Sequence, residues 1–127
     1  MNCLKVKSGV LFTSIAPAGF RILGALEHCA RIIGHDLTIT SACDGIHSGP
    51  TDPHYRGMAY DVRTSDLPDP TKDALLKMLL EELCDHQETP QPVGIGFATR
   101  QWYGQIEHRN QVGEHLHIQL RNGHTYP

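Results

Sequence analysis

The stretch His54-Tyr55-Arg56-Gly57-Met58-Ala59-Tyr60-Asp61-Val62-Arg63 decides how the rest of this chain is read. From Gly57 onward it alternates. Met58, Tyr60 and Val62 fall on one side of an extended strand, Ala59 and Asp61 on the other. Before Gly57 the pattern stops: residues 42–56 hold Asp44-Gly45, Ser48-Gly49-Pro50 and Asp52-Pro53, turn formers without periodicity. A long irregular loop inside a compact domain is usually functional. The stretch therefore reads as a loop-to-strand junction, with His54 delivered by the loop and Asp61 by the strand.

A second stretch, Glu114-His115-Leu116-His117-Ile118-Gln119-Leu120, alternates in the same way. His115, His117 and Gln119 share one side, and Leu116, Ile118 and Leu120 the other. Placed in one sheet, the polar sides of the two strands line a common cleft, and small Gly57 and Ala59 leave room beside Asp61. Each element alone has a plain structural reading: stacked surface histidines, a hydrogen-bonded aspartate, a turn histidine. Taken together they are N and O donors beside a spare carboxylate, the set a catalytic zinc site needs around an open position.

Working outward, residues 4–13 read as a strand or a pair of short extended pieces. Pro17 opens a helix whose stripe is Phe20, Leu23, Leu26, Ala30 and Ile33, and Gly34 ends it. Leu37–Ser41 alternates with β-branched residues and predicts a strand. Asp69-Pro70 reads as N-cap and first helical residue. Behind it runs a helix with Leu75, Leu76, Leu79, Leu80 and Leu83 inside and Lys72, Asp73, Lys77, Glu81 and Glu82 outside. Residues 85–92 read as a loop, 93–99 and 102–108 as two strands, and 110–113 as the turn before the last strand. Two helices ahead of a run of strands predict an α+β fold with a mostly antiparallel sheet.

The 127 residues suit one domain, 1–127, with a core of its own. A net charge of -3 and singly scattered Lys and Arg leave no basic footprint for nucleic acid or a membrane surface. Nine histidines against eleven Lys and Arg raise the expectation of a metal site. The four cysteines form no C-x-x-C pair, and reduced thiols are expected. Cys43, His47 and His54 make a second cluster of metal-ligating types that we discount, because a loop thiol with stray histidines rarely holds a metal. No stretch approaches the roughly 20 apolar residues of a membrane span. The N-terminus reads as a strand rather than a leader, which predicts a cytoplasmic monomer.

His54-x-x-Gly57-x-Ala59-x-Asp61 resembles the H-x-x-G-x-A-x-D signature of the M15 zinc peptidases, the D-Ala-D-Ala metallopeptidase family. Glu114-x-x-His117 is similar to that family's second motif. The family includes D,D-carboxypeptidases and the L-alanyl-D-glutamate endopeptidases of phage endolysins. The resemblance implies a hedgehog/DD-peptidase-like fold and zinc held by His54, Asp61 and His117. It also implies Glu114 as the general base and His115 as a stabiliser of the transition state. The substrate implied is a D-amino-acid-containing peptidoglycan stem peptide, reached in a phage-type enzyme after release by a holin. Glu114 has the strand parity opposite to His117, so this role requires a bend at Gly113-Glu114.

The chain departs from the family in three places. No serine directly precedes the His54 motif, no arginine follows the Thr-Ser strand at Ser41-Ala42-Cys43-Asp44, and Leu116 stands where an aromatic residue is common. Arg56, Arg63, Arg100 and His47 are the candidates for the missing substrate-binding group, with Arg56 and Arg63 put first. A non-catalytic zinc module, as in hedgehog signalling domains, and a virion structural protein of the same fold are the alternative readings.

Overall fold

The computed structural model of the chain describes residues 2–42, 57–121 and 124. Within them the chain is α+β, with two helices and one seven-stranded sheet. In order these are β1 (Leu4–Val6), α1 (Pro17–Ile33), β2 (Leu37–Ser41), β3 (Ala59–Arg63), α2 (Asp69–Leu83), β4 (Gln91–Val93), β5 (Gly96–Ala98), β6 (Trp102–Glu107) and β7 (His115–Leu120). The strand order is β1-β2-β3-β7-β6-β5-β4. β1 runs parallel to β2, and every other neighbouring pair is antiparallel. Among the described residues no helix is long and apolar enough to cross a membrane.

Both helices pack on one face of the sheet. Tyr60 and Val62 of β3, Leu116 and Ile118 of β7 and Trp102 of β6 join Ile22, Leu26, Leu75, Leu79 and Leu80 in a single buried cluster. Each fully buried Leu or Ile contributes roughly 1.5–3 kcal/mol. Gly104 in β6 lets α2 approach, because a Cβ there would lie 2.7 Å from the Leu76 side chain. Among the described residues the opposite face of the central strands carries the polar residues and no helix.

α1 begins at Pro17, whose missing N–H costs nothing in the first turn. It ends at Gly34, left-handed at φ 70°, with its N–H donated to the Ala30 carbonyl at 3.1 Å. The expected stripe is rotated. Ala18, Ile22, Ala25, Leu26, Cys29 and Ala30 are buried, while Phe20 is 62% exposed. Close contact at the start of α1 sets this face: a Cβ on Gly19 would overlap the Gly57 carbonyl oxygen and lie 2.7 Å from the Tyr60 hydroxyl. Small residues face the sheet and the bulky Phe20 turns out.

Gly57 needs the same correction. The sequence reading gives it the task of leaving space beside a metal. In the structure it has φ +70°, and a Cβ there would overlap the Ser14 carbonyl. Its smallness seats β3 against the segment that leads into α1.

Other boundaries moved for local reasons. β1 stops at Val6 rather than running to residue 13, because Gly9 takes φ +89° and Val10 donates back to Lys7 O at 3.3 Å. The strand expected over 93–99 is a hairpin, β4 and β5 joined through Gly94 at φ 57°. Pro68 caps α2 and Asp69 lies in its first turn, where a carboxylate suits the helix dipole. Lys72, expected on the solvent side of α2, is buried. Cys3, Cys29 and Cys84 are free thiols, and burial pushes Cys29 up to about 12. Cys43 lies outside the described residues.

Candidate metal site on the open sheet face

β7 lies between β3 and β6, and the register builds polar rows across all three strands. Asp61 pairs with His117, which pairs with Gln105, and Arg63 pairs with His115, which pairs with Glu107. Alternation turns all six away from the helices, and all six are half-buried. The strand adjacency that the sequence reading assumed is therefore present, and it sets Asp61 directly opposite His117.

Asp61 Oδ1 lies 3.0 Å from His117 Nδ1. Two donors bound at about 2.1 Å to one tetrahedral ion stand roughly 3.3 Å apart, so this pair fits two corners of a zinc site. The other ring nitrogen supports the fit. His117 Nε2 lies 2.8 Å from Gln119 Oε1, and the Gln119 amide nitrogen donates to Leu120 O at 3.1 Å. An amide oxygen only accepts, so Nε2 carries a proton, the usual outer-shell arrangement of a ligating histidine; Nδ1 donates to the Asp61 carboxylate, and a metal between the two would take the place of that proton. Burial works against a charged His117, yet the Asp61 carboxylate and the Gln119 oxygen outweigh it and raise the imidazole above its ordinary value.

His115 stands beside this pair. Its Nδ1 is 2.8 Å from the Gly113 carbonyl, which fixes that nitrogen as a donor. Its Nε2 faces Asp61 Oδ1 at 3.8 Å and Glu107 Oε2 at 3.5 Å. Glu107 is itself oriented: Gln105 donates to its Oε1 at 2.9 Å, and the Tyr103 hydroxyl donates to Gln105 at 2.7 Å. Tyr103 thus belongs to the site wall, and Trp102 to the core.

His54 and Arg56 lie outside the described residues, as do Cys43 and His47. Among the described residues no group of three or more His, Cys, Asp or Glu stands as a metal would require. The described part of the chain supplies two candidate ligands, Asp61 and His117. Arg63 lies within the described residues, in the row of His115 and Glu107.

Glu114 is placed elsewhere. The bend its role required is present, with Gly113 at φ +86° and β7 starting at His115. The side chain, however, turns toward α2 and is only 1% exposed. Its carboxylate accepts from Lys72 Nζ at 2.6 Å, from the Thr64 hydroxyl at 2.7 Å and from the Asn110 N–H at 2.8 Å. Burial alone would raise its pKa, but the Asn110 amide, the Lys72 ammonium and the Thr64 hydroxyl lower it to about 2. Such a carboxylate is a weak proton acceptor at neutral pH. The structure thus separates Glu114 from the Asp61–His117 pair, and the assignment of Glu114 as general base is corrected to a buried ion pair with Lys72.

Sequence reading passed over Gln105 and Glu107 because β6 was placed without a register. Their alternation with Trp102, Gly104 and Ile106 was available, and only the pairing with β7 shows that they face His117 and His115. No family model, curated protein or solved structure matches this chain.

Proposed function

We propose that this chain is a zinc-dependent peptidase that hydrolyses an amide bond next to a D-amino acid in peptidoglycan stem peptides, acting as a monomer. The observation that carries the reading is the Asp61–His117 pair at 3.0 Å on the open face, with Gln119 orienting the imidazole. Asp61 and His117 are two ligands, and His54 is the third by resemblance. Zinc, when bound, supplies a Lewis acid and an acidified water. Glu107 is the open-face carboxylate available to accept a proton from an attacking water. His115, held by Gly113 O, presents Nε2 to the same space and stabilises developing negative charge when protonated. The substrate class and the route to the wall by holin release rest on the resemblance over residues 54–61 and 114–117.

One observation favours a second reading, a zinc-binding module of the same fold without hydrolysis, such as a virion structural protein. The carboxylate of the family's base position is committed to Lys72. Zinc content and muropeptide release by the purified full chain separate the two. Wild type is expected to hold one zinc and release fragments, and Asp61→Ala to lose both. Glu107→Gln is expected to keep its zinc and to lose about 10²-fold or more in rate. Zinc without release in wild type selects the second reading, and absence of stoichiometric zinc sinks both.

A further inference from the structure

We infer that the buried Lys72–Glu114 pair positions His115: it holds the turn 108–114 in a strained form whose Gly113 carbonyl fixes the tautomer and the direction of that imidazole. The inference rests on the peptidase reading only for what His115 acts upon. The Glu114 carboxylate turns toward α2, so the pair acts through the turn and not by contact with substrate.

The turn needs support from outside itself. His108 and Asn110 take φ 55° and 59°, left-handed values that cost a non-glycine residue energy, and Gly113 takes φ 86°. Inside it, Gln111 N–H donates to His108 O at 2.9 Å and Glu114 N–H to Gln111 O at 3.2 Å. The further support comes from below. Glu114 Oε1 accepts the Asn110 N–H at 2.8 Å, and Lys72 Nζ reaches that same oxygen at 2.6 Å and Asn110 Oδ1 at 3.3 Å. The Thr64 hydroxyl donates to Oε2 at 2.7 Å. Lys72 belongs to α2, and Thr64 directly follows β3. One buried carboxylate thus ties the turn to the helix and to the strand that carries Asp61.

That turn holds His115 in two ways. Gly113 O lies 2.8 Å from His115 Nδ1, and the His108 ring stands against the His115 ring at 6.0 Å between centroids. A carbonyl oxygen only accepts, so Nδ1 carries a proton and Nε2 is aimed between Asp61 Oδ1 at 3.8 Å and Glu107 Oε2 at 3.5 Å. Those carboxylates compete with Gly113, because they too accept. A neutral ring released from Gly113 would carry its proton on Nε2 instead. Glu114 stands between Gly113 and His115 in the chain, so fixing its side chain fixes the peptide units on both sides.

The full chain labelled with ¹⁵N tests this through the long-range ¹H–¹⁵N correlations of the neutral His115 ring. They distinguish a proton on Nδ1 from one on Nε2 and need neither turnover nor metal. Wild type is expected to show Nδ1–H, and Glu114→Gln, which keeps an acceptor for the Asn110 N–H, is expected to retain it. Lys72→Met/Glu114→Leu replaces both charges with apolar groups of similar volume, so the fold is expected to survive while the Asn110 N–H loses its acceptor. In this double variant Nδ1–H is expected to give way to Nε2–H. Where stem peptides are cleaved, its kcat is expected to fall at least about tenfold with KM within about twofold. Glu114→Asp keeps a charge for Lys72 but is one methylene short of the Asn110 N–H. It is expected to shift the tautomer the same way, and it decides the case if the double variant does not fold. Nε2–H in wild type, or an unaltered tautomer in either folded variant, overturns the inference. If hydrolysis is absent but the tautomer moves as stated, the positioning stands and the peptidase reading falls. If hydrolysis proceeds and the tautomer does not move, only the positioning falls.

Discussion

Asp61 lies in β3 and Glu114 directly before β7, the two strands that meet at the centre of the sheet, and their surroundings make these carboxylates different kinds of residue. Glu114 is sealed under α2, with Lys72, Thr64 and Asn110 on its oxygens. Asp61 faces the open side, with His117 at 3.0 Å and His115 at 3.8 Å. Lys72 leaves Glu114 no unmatched charge, so removing Lys72 strands a buried carboxylate, while removing Glu114 leaves Lys72 with Asp69 alone. Imidazoles leave Asp61 in a group that can exchange a proton contact for a metal bond. The same functional group is thus structural in one place and chemical in the other, and residue type alone does not distinguish them.

The largest expected effect breaks the comparison on the buried side. Glu114→Ala is expected to lower the melting temperature clearly, because the Lys72 ammonium loses its 2.6 Å partner and keeps only Asp69 at 3.1 Å. Asp61→Ala, without metal, is expected to cost less stability than Glu114→Ala, because the His117 imidazole left behind can become neutral and keep its contact with the Gln119 oxygen. Thermal unfolding of both variants checks this, and a wild-type melting temperature for Glu114→Ala would refute the buried-pair account.

An acid titration sharpens the same contrast. The folded pKa of Glu114 is depressed to about 2 from an ordinary 4.5. The stability it contributes is therefore complete above 4.5 and is lost as pH falls toward 2. Denaturant midpoints measured down that range are expected to fall for wild type. For Glu114→Gln they are expected to start lower and to change less, and parallel curves would contradict the assignment.

The smallest effect probes the open side. Gln119→Leu removes the acceptor of His117 Nε2 and is expected to weaken zinc binding by 10–100-fold, with little change in melting temperature. Competition against a chromogenic chelator measures it. An unchanged affinity would mean that His117 does not bind through Nδ1.

Much of this was legible along the chain. Asp61, His117 and the alternation around them follow from the period of two, which fixes the face of every residue in a strand once one is known. The Leu stripe of α2 and the Gly34 stop of α1 follow from helix period and from glycine's access to positive φ. The misreadings share a cause. Hydrophobicity alone turns Phe20 inward, but Gly19 against Gly57 and Tyr60 decides which face of α1 seats. Charge alone turns Lys72 outward, but its position over Glu114 pulls it in. Both outcomes depend on a neighbour more than 35 residues away in sequence.

By itself, then, the sequence determined which strands have a polar side and which residues stand on it, because alternation is a local property of extended backbone. The insertion of β7 between β3 and β6 is a property of the folded chain alone. That placement sets His117 against Asp61, brings Glu107 to His115 and hands Glu114 to Lys72. Strand order and register are settled by how the buried faces of distant segments pack together, and no local pattern of residues carries that information.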